Sequence, residues 1–237
     1  MIQENGVFKK RLAIIPARGG SKRIPKKNIK LFNGKPIIYY PIDVLKNSNL
    51  FTKIHVSTED IEIKNIVEKS GIKIDFLRPK NLSDDFTPIM PVIKDVINEF
   101  DKRNSFFDEI WIFSATNPFL KVEYLKNCVK ILNRKNTKAV MTVKPYELPI
   151  EWSYQIKKNL LHPNNSGSFK LRSQDLNLNY HDASMIYAYK LDVIKSIDNE
   201  GNDEIFTPLI IPKYSSVDID DNEDWRFSEI LFKNFKK

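Results

Sequence analysis

Between Ala17 and Asn28 the chain reads Ala-Arg-Gly-Gly-Ser-Lys-Arg-Ile-Pro-Lys-Lys-Asn, gathering two glycines, one hydroxyl and five cationic side chains into twelve residues. Each of these types has a use against phosphate. Glycines let backbone N–H groups converge on oxygens that a Cβ would obstruct, while Lys and Arg neutralise the remaining charge. The order of residues matches neither the Walker A pattern nor Gly-x-Gly-x-x-Gly, which disfavours those two cofactor classes. Composition alone allows a solvated basic turn as readily as an anion site. Position shifts the balance: the apolar run Leu12 to Ile15 just ahead reads as a buried strand, and open α/β sheets bind ligands where strands give way to loops.

Three further groups have chemistry in their spacing. Near the carboxyl end, Val217-Asp218-Ile219-Asp220 alternates apolar and acidic residues at the strand period, which places both carboxylates on one face. Such a pair suits Mg²⁺, which binds protein carboxylates together with substrate phosphates. On its own, an exposed acidic edge explains the pattern better. Asp221 and Asp224 read as loop or helix N-terminal charges. Arg78, before Pro79, only donates hydrogen bonds, so it can pair with the O2 and N3 acceptors of a cytosine but would meet the N3–H of uracil. A surface ion-pair role is the alternative. The cluster Arg172-Ser173-Gln174-Asp175-Leu176 and Tyr180-His181-Asp182-Ala183 offers a guanidinium to clamp a carboxylate, and Gln, His and Asp to meet hydroxyl or N-acyl groups. His181 and Asp182 are adjacent in a strand, so they face opposite sides and form no dyad. His55 and His162 read as structural, lacking any metal-ligand spacing.

The elements that must position these groups alternate in type. Strands are expected at Leu12 to Ile15, Ile54 to Thr58, Lys73 to Leu77, Glu109 to Ser114 and Ala139 to Val143. Helices are expected at Pro36 to Leu45, Glu59 to Ser70, Met90 to Phe100 and Val122 to Leu132. The alternation predicts a mainly parallel sheet covered by helices on both faces. From about 145 to 181 periodicity weakens among prolines, with a hairpin expected around Trp152 to His162. This reads as an arm inserted into a single domain spanning 1–237. Strands resume at Ala183 to Leu191 and Ser215 to Ile219.

A chain of 237 residues with 41% hydrophobic content carries one substantial core. Its longest apolar runs are far short of the roughly 20 residues needed to cross a bilayer. Met1 to Lys10 lacks the apolar stretch of a secretory signal, so the expected address is the cytoplasm, with no membrane partner. Cys128, the single cysteine, falls on the apolar side of a helix with Val122, Leu125, Val129 and Leu132 and is expected to pack there. The net charge of +8 suits an enzyme of anionic substrates or a nucleic-acid binder. No nucleic-acid motif is present, and the nine tyrosines and fifteen phenylalanines do not interleave with the basic loop, which disfavours the second class.

The stretch Ile14-Ile15-Pro16-Ala17-Arg18-Gly19-Gly20-Ser21-Lys22, continuing through Ile24-Pro25 and Lys27-Asn28, closely resembles the signature of acylneuraminate cytidylyltransferases. The resemblance implies a Rossmann-like nucleotide-diphospho-sugar transferase fold, with the inserted arm serving dimerisation. It implies that the loop holds the phosphates of CTP through Arg18, Gly19, Gly20, Ser21, Lys22, Lys27 and Asn28. Leu82-Ser83-Asp84-Asp85-Phe86-Thr87-Pro88 is similar to the family's block near the base, which adds Arg78 and Thr87 to the nucleotide site. The same resemblance turns Asp218 and Asp220 into ligands of a catalytic Mg²⁺, with Arg18 and Lys27 as the catalytic cations. The 172–176 and 180–183 segments look more like pseudaminic acid cytidylyltransferases than sialate enzymes, which show an Asn-Gly before this strand. Ser184-Met185 departs from both versions. Ser114 stands where sialate enzymes place a glutamine facing the sugar. The implied reaction transfers CMP from CTP to an acidic nine-carbon sugar, pseudaminic acid foremost, with legionaminic acid, N-acetylneuraminic acid and 3-deoxy-octulosonate as alternatives. Ser114, Arg172, Gln174, His181 and Asp182 are the expected sugar contacts.

Overall fold

The computed structural model describes residues 9–198 and 205–235. The reading of Met1 to Lys10 falls outside these residues except for Lys9 and Lys10. From the amino end, β1 (Arg11–Pro16) leads through the basic loop to a small hairpin, β2 (Leu31–Phe32) and β3 (Lys35–Pro36). There follow α1 (Tyr39–Ser48), β4 (Lys53–Ser57), α2 (Ile61–Lys69), α3 (Ile89–Lys102), β5 (Glu109–Phe113), α4 (Val122–Leu132) and β6 (Ala139–Pro145). A second hairpin, β7 (Tyr154–Lys157) and β8 (Leu160–Pro163), precedes the long β9 (Tyr180–Lys190). Then come α5 (Leu191–Ser196), β10 (Phe206–Ile210) and α6 (Asn222–Phe235).

Six strands form the main sheet in the order β10-β6-β9-β5-β1-β4. β9 runs antiparallel between β5 and β6, and the other pairings are parallel. The two faces are sorted by strand periodicity. On β1, Ala13 and Ile15 pack with α1, α2 and α4, while Leu12 and Ile14 pack with α3 and α5; on β5, Trp111 and Phe113 divide from Ile110 and Ile112 in the same way. This is the expected mainly parallel sheet with helices on both faces. Cys128 is fully buried against the first of these cores, and burial pushes its thiol well up from the ordinary range. Among the described residues no helix is long and apolar enough to cross a membrane.

Three expectations need correction. Lys73 to Leu77 is no strand: it runs beyond the edge strand β4 without joining the ladder, burying Ile74 and laying Phe76 on His55. Ser215 to Ile219 is also outside the sheet, although Ile219 is buried and Asp218 exposed as the alternation requires. An extended segment that buries alternate side chains against a core leaves the same sequence pattern as a laddered strand. The strand the reading lacked is β10, which contains Pro208. Among the described residues it is an edge strand paired only with β6, where a residue without an N–H is tolerated. The expected hairpin is present as β7 and β8, and its residues are exposed.

His55 on β4 is fully buried, its ring stacked on Phe76 at 4.4 Å between centroids and edge-on to Phe100 at 5.4 Å. Neither ring nitrogen has a hydrogen-bond partner among the described residues. Burial lowers its pKa from 6.5 to about 4, against the opposing pull of Asp75. The folded chain therefore holds His55 neutral, and its contribution is fully present above the unfolded pKa and lost as pH falls from about 6.5 towards 4. Between pH 7.5 and 5 the loss amounts to about 2 kcal/mol. Urea denaturation at those two pH values is expected to show this difference in excess of a His55→Leu variant; equal pH dependence in the two proteins contradicts it.

Candidate active site

The chain order reverses direction between β1 and β5, since β1 is followed outward by β4 and the path then crosses to β5. At their carboxyl ends, where such sheets bind ligands, opens a cleft of about 460 Å³. One wall is the basic loop, with Arg18, Ser21, Lys22, Arg23, Lys27 and Asn28. A second is Arg78 with the loop to α3, carrying Asp84, Asp85 and Thr87. The floor is Ser114 to Thr116 after β5, and the far side is formed by Ser184 and Tyr187 on β9 with Asp218 and Asp220.

A small apolar cluster holds the first and last of these walls together. Ile24 of the basic loop and Ile219, between the two carboxylates, are buried with Phe32, Tyr40 and Trp225. Phe32 meets Tyr40, Trp225 and Phe232 edge-on at 5.5, 5.6 and 5.5 Å. With their neighbours anchored, the polar residues between them face one another. Lys27 Nζ donates to Ile219 O at 2.7 Å and lies 3.5 Å from Asp220 Oδ1, which also pairs with Arg23 at 3.1 Å. The backbone at Asp220 is fixed by the start of α6. Asp221 Oδ1 accepts from the N–H groups of Glu223 and Asp224, and Asp224 Oδ2 accepts in return from those of Asp220 and Asp221. Asp221 and Asp224 are thus the helix N-terminal charges their position suggests. Partial desolvation by the cleft walls, then the charge of Asp220, raises the pKa of the surface-accessible Asp218, against a hydrogen bond from Ser184 and the charge of Lys27.

The two glycines of the loop do different things. A Cβ on Gly19 would lie 2.3 Å from Asp60 Oδ2, and the Gly19 N–H is taken by Glu59 Oε1 at 2.7 Å. Gly19 is therefore required by close packing against the start of α2, where Asp60 caps the helix. A Cβ on Gly20 meets nothing within 4 Å, which leaves open space beside the loop. Asn28 Nδ2 donates to Arg18 O at 2.9 Å and so shapes the loop from within. Arg18 bonds Asp84 O at 3.0 Å and Asp85 Oδ1 at 2.5 Å, and Lys22 pairs with the other oxygen of Asp85. Hydrogen bonds from Lys22 and then Arg18 hold the Asp85 carboxyl below its ordinary range. Asp84 caps the turn into α3 by accepting from the N–H groups of Phe86 and Thr87 and from the Thr87 hydroxyl.

Arg78 is buried, its Nε bonded to Ser57 Oγ at 3.0 Å and its Nη2 to Ser57 O at 2.6 Å, and the residue lines the cleft. The cleft thus collects Arg18, Ser21, Lys22, Lys27, Asn28, Arg78, Thr87, Ser114, Asp218 and Asp220. It does not collect the rest of the expected sugar set. Arg172 lies exposed on the arm in a two-point pair with Asp175, at 2.8 and 3.0 Å, and Gln174 sits in the same turn. His181 faces the ring of Tyr146, 4.8 Å away. Asp182 stands one step behind the cleft, accepting from Ser184 N–H at 2.8 Å and from the Tyr187 hydroxyl. Arg23, Asp85, Ser184 and Tyr187 are cleft residues that the sequence reading left out. Arg23 and Asp85 lie inside motifs already quoted, whereas Ser184 and Tyr187 reach the cleft through a slip in the β6–β9 ladder that no periodicity announces.

This chain matches the family model described as Cytidylyltransferase over residues 12–205. It belongs to that cytidylyltransferase family. Among curated relatives, it is 36% identical to the pseudaminic acid cytidylyltransferase of Campylobacter jejuni over 94% of this chain and 97% of that one. It is 32% identical to the CMP-N,N'-diacetyllegionaminic acid synthase of Legionella pneumophila over 94% and 96% of the two chains. Among solved structures, a CMP:2-keto-3-deoxy-manno-octonic acid synthetase complexed with CTP superimposes with a TM-score of 0.71. That match covers 95% of this chain and 99% of the other at 14% identity, and it establishes the shared α/β nucleotidyltransferase fold. As a member of the family, the cytidylyltransferase is a nucleotidyl-transferring enzyme.

The contrast between its two loop glycines is testable by stability. Gly19→Ala drives a methyl into the Asp60 cap and is expected to cost about 1 kcal/mol, the typical cost of a lost helix cap. Gly20→Ala is expected to stay within about 0.5 kcal/mol of the parent. Urea unfolding of both variants checks this, and a Gly19→Ala protein as stable as the parent refutes the packing argument.

Proposed function

We propose that this cytidylyltransferase transfers CMP from CTP to the anomeric hydroxyl of an acidic nine-carbon sugar, pseudaminic acid foremost, releasing pyrophosphate. One observation carries the reading: the basic loop and the paired carboxylates share a single cleft at the carboxyl ends of β1 and β5. The extent of similarity to the Campylobacter jejuni pseudaminic acid enzyme supports the choice of sugar. Arg18, Lys22 and Lys27 offer charge to the triphosphate, and the open space beside Gly20 leaves room for phosphate at the loop backbone. The donors of Arg78 that are not bonded to Ser57 serve the O2 and N3 acceptors of cytosine.

Among the described residues there is no group of three or more His, Cys, Asp or Glu able to hold a metal. Mg²⁺ does not need one, because it binds through one or two carboxylates and completes its shell with phosphate oxygens and water. Asp218 and Asp220 fit that donor set: partial desolvation and mutual repulsion raise the pKa of Asp218, so the pair favours a nearby cation. Bound there, Mg²⁺ would neutralise charge on the phosphoryl oxygens and the departing pyrophosphate. The chain's own part is alignment, with Lys27 and Arg23 holding the acidic segment and Lys27 lining the cleft in which the transferring group would bind.

Sugar recognition begins at Ser114 in the cleft. Asp182 acts through the two cleft residues it bonds, and His181 lies near the base of the arm. Arg172 and Gln174 lie outside the cleft of their own chain, so a role for them requires the arm of a second copy. A homodimer through the arm is supported by its exposed apolar residues, among them Ile156, Leu160 and Leu161 at 75%, 65% and 66% exposure. A cytoplasmic address fits a reaction that consumes CTP.

Pyrophosphate release with CTP and Mg²⁺, across pseudaminic, legionaminic, N-acetylneuraminic and 3-deoxy-octulosonic acids, tests the assignment. Pseudaminic acid is expected to be turned over fastest, with UTP and ATP inactive; no release with any of the four sinks the reading. Lys27→Ala is expected to lower turnover about 10²–10³-fold. Near-normal turnover in that variant removes Lys27 from the mechanism.

A further inference from the structure

The ladder between β6 and β9 slips between Met141 and Val143, and beside the slip Ser184 has φ +49. This left-handed conformation is free for glycine and uncommon for serine. Residues are held in such conformations only when their surroundings fix them, and such outliers gather at functional sites. Here the surroundings are explicit. The Ser184 N–H donates to Asp182 Oδ1 at 2.8 Å, and its carbonyl accepts from Asn117 Nδ2 at 3.5 Å. Its hydroxyl donates to Asp218 Oδ2 at 3.3 Å, inside the cleft. Asn117 is buried and also bonds Ser216 Oγ at 3.1 Å, and that hydroxyl donates to Ala183 O at 2.6 Å. The bulge of β9 and the segment leading to Asp218 are therefore one hydrogen-bonded frame.

Glycine would supply this backbone without strain, so what serine adds is the hydroxyl. We propose that Ser184 is a positioning residue for Asp218, using its hydroxyl to engage one carboxylate oxygen and keep the other available to the cation. Among the described residues no other hydrogen bond reaches the Asp218 carboxylate, so without that tether its orientation is left to repulsion by Asp220 and attraction to Lys27. Hydrogen bonds of this kind, one step removed from a metal, orient the ligand and account for about 10–100-fold in metal affinity. The proposal rests on Asp218 being a metal ligand, as argued above for the proposed function.

Mn²⁺ alone is a suitable probe, its free concentration read by electron paramagnetic resonance during titration of the full-length enzyme. Ser184→Ala and Ser184→Gly are each expected to raise the dissociation constant about 10-fold. Ser184→Gly is expected to melt no lower than the parent, because it relieves the backbone, so weaker binding in that variant is not a folding defect. Either variant, folded and binding Mn²⁺ as tightly as the parent, overturns the proposal. Asp218→Asn separates the two levels. If it keeps parental Mn²⁺ affinity, the metal assignment of Asp218 falls and the role of Ser184 with it. If it loses Mn²⁺ while the Ser184 variants retain it, only the role of Ser184 falls.

Discussion

Two carboxylates on alternate residues repel each other, and bringing Asp218 and Asp220 to a partly buried wall is unfavourable unless positive charge faces them. Here it does, through Lys27 and Arg23, and what guarantees that arrangement is apolar. Ile24 and Ile219 share one small core with Phe32, Tyr40 and Trp225, so a loop near the amino end and a segment near the carboxyl end are fixed at close range. The hydrophobic effect is non-directional and supplies the force, while the 2.7 Å bond from Lys27 to Ile219 O and the cap at Asp224 supply direction. The cleft has its basic and acidic walls within reach of each other because of this juxtaposition.

The sheet supplies the remaining walls. Because the chain order reverses between β1 and β5, the cleft opens at their carboxyl ends. The antiparallel β9 brings its amino end to the same edge as the carboxyl end of β5, pairing Ile186 with Phe113 and setting Ser184 just past it. Three chain directions thus converge on one opening. Within the cleft the cations pair with carboxylates: Asp85 holds Arg18 and Lys22, and Asp220 holds Arg23 and Lys27. On the proposed reading a triphosphate would compete with Asp85 for Arg18 and Lys22, and such exposed ion pairs contribute little enough to be exchanged for phosphate.

Elements with strong local signals were legible. The helix at Val122–Leu132 shows the 3.6 period with Cys128 on its apolar side, and β5 from Ile110 to Phe113 is an apolar run buried on both faces. The segments 73–77 and 215–219 carry a strand's alternation without a ladder, since burial against a core sets that pattern and hydrogen-bond pairing does not. Asn33-Gly34, with φ +44 and +90, is the turn of the β2–β3 hairpin. Its dipeptide is visible in the sequence, but the two-residue strands on either side are too short to show periodicity. β10 was hidden by Pro208, whose tolerance depends on an edge position that only the sheet order reveals.

The amino-acid sequence by itself determined the chemistry on offer: a glycine-containing cationic loop after the first strand, a guanidinium at Arg78, an acidic pair at Asp218 and Asp220, and the alternation of strands and helices. These are local properties of residue type and spacing. Tertiary structure alone decided that the loop and the acids share a cleft, that Gly19 serves packing while Gly20 leaves open space, and that Arg172 lies outside the site of its own chain. It also decided that Ser184 enters the cleft. Each of these depends on which distant segments touch, and contacts between residues far apart in the chain leave no period in the sequence to be read.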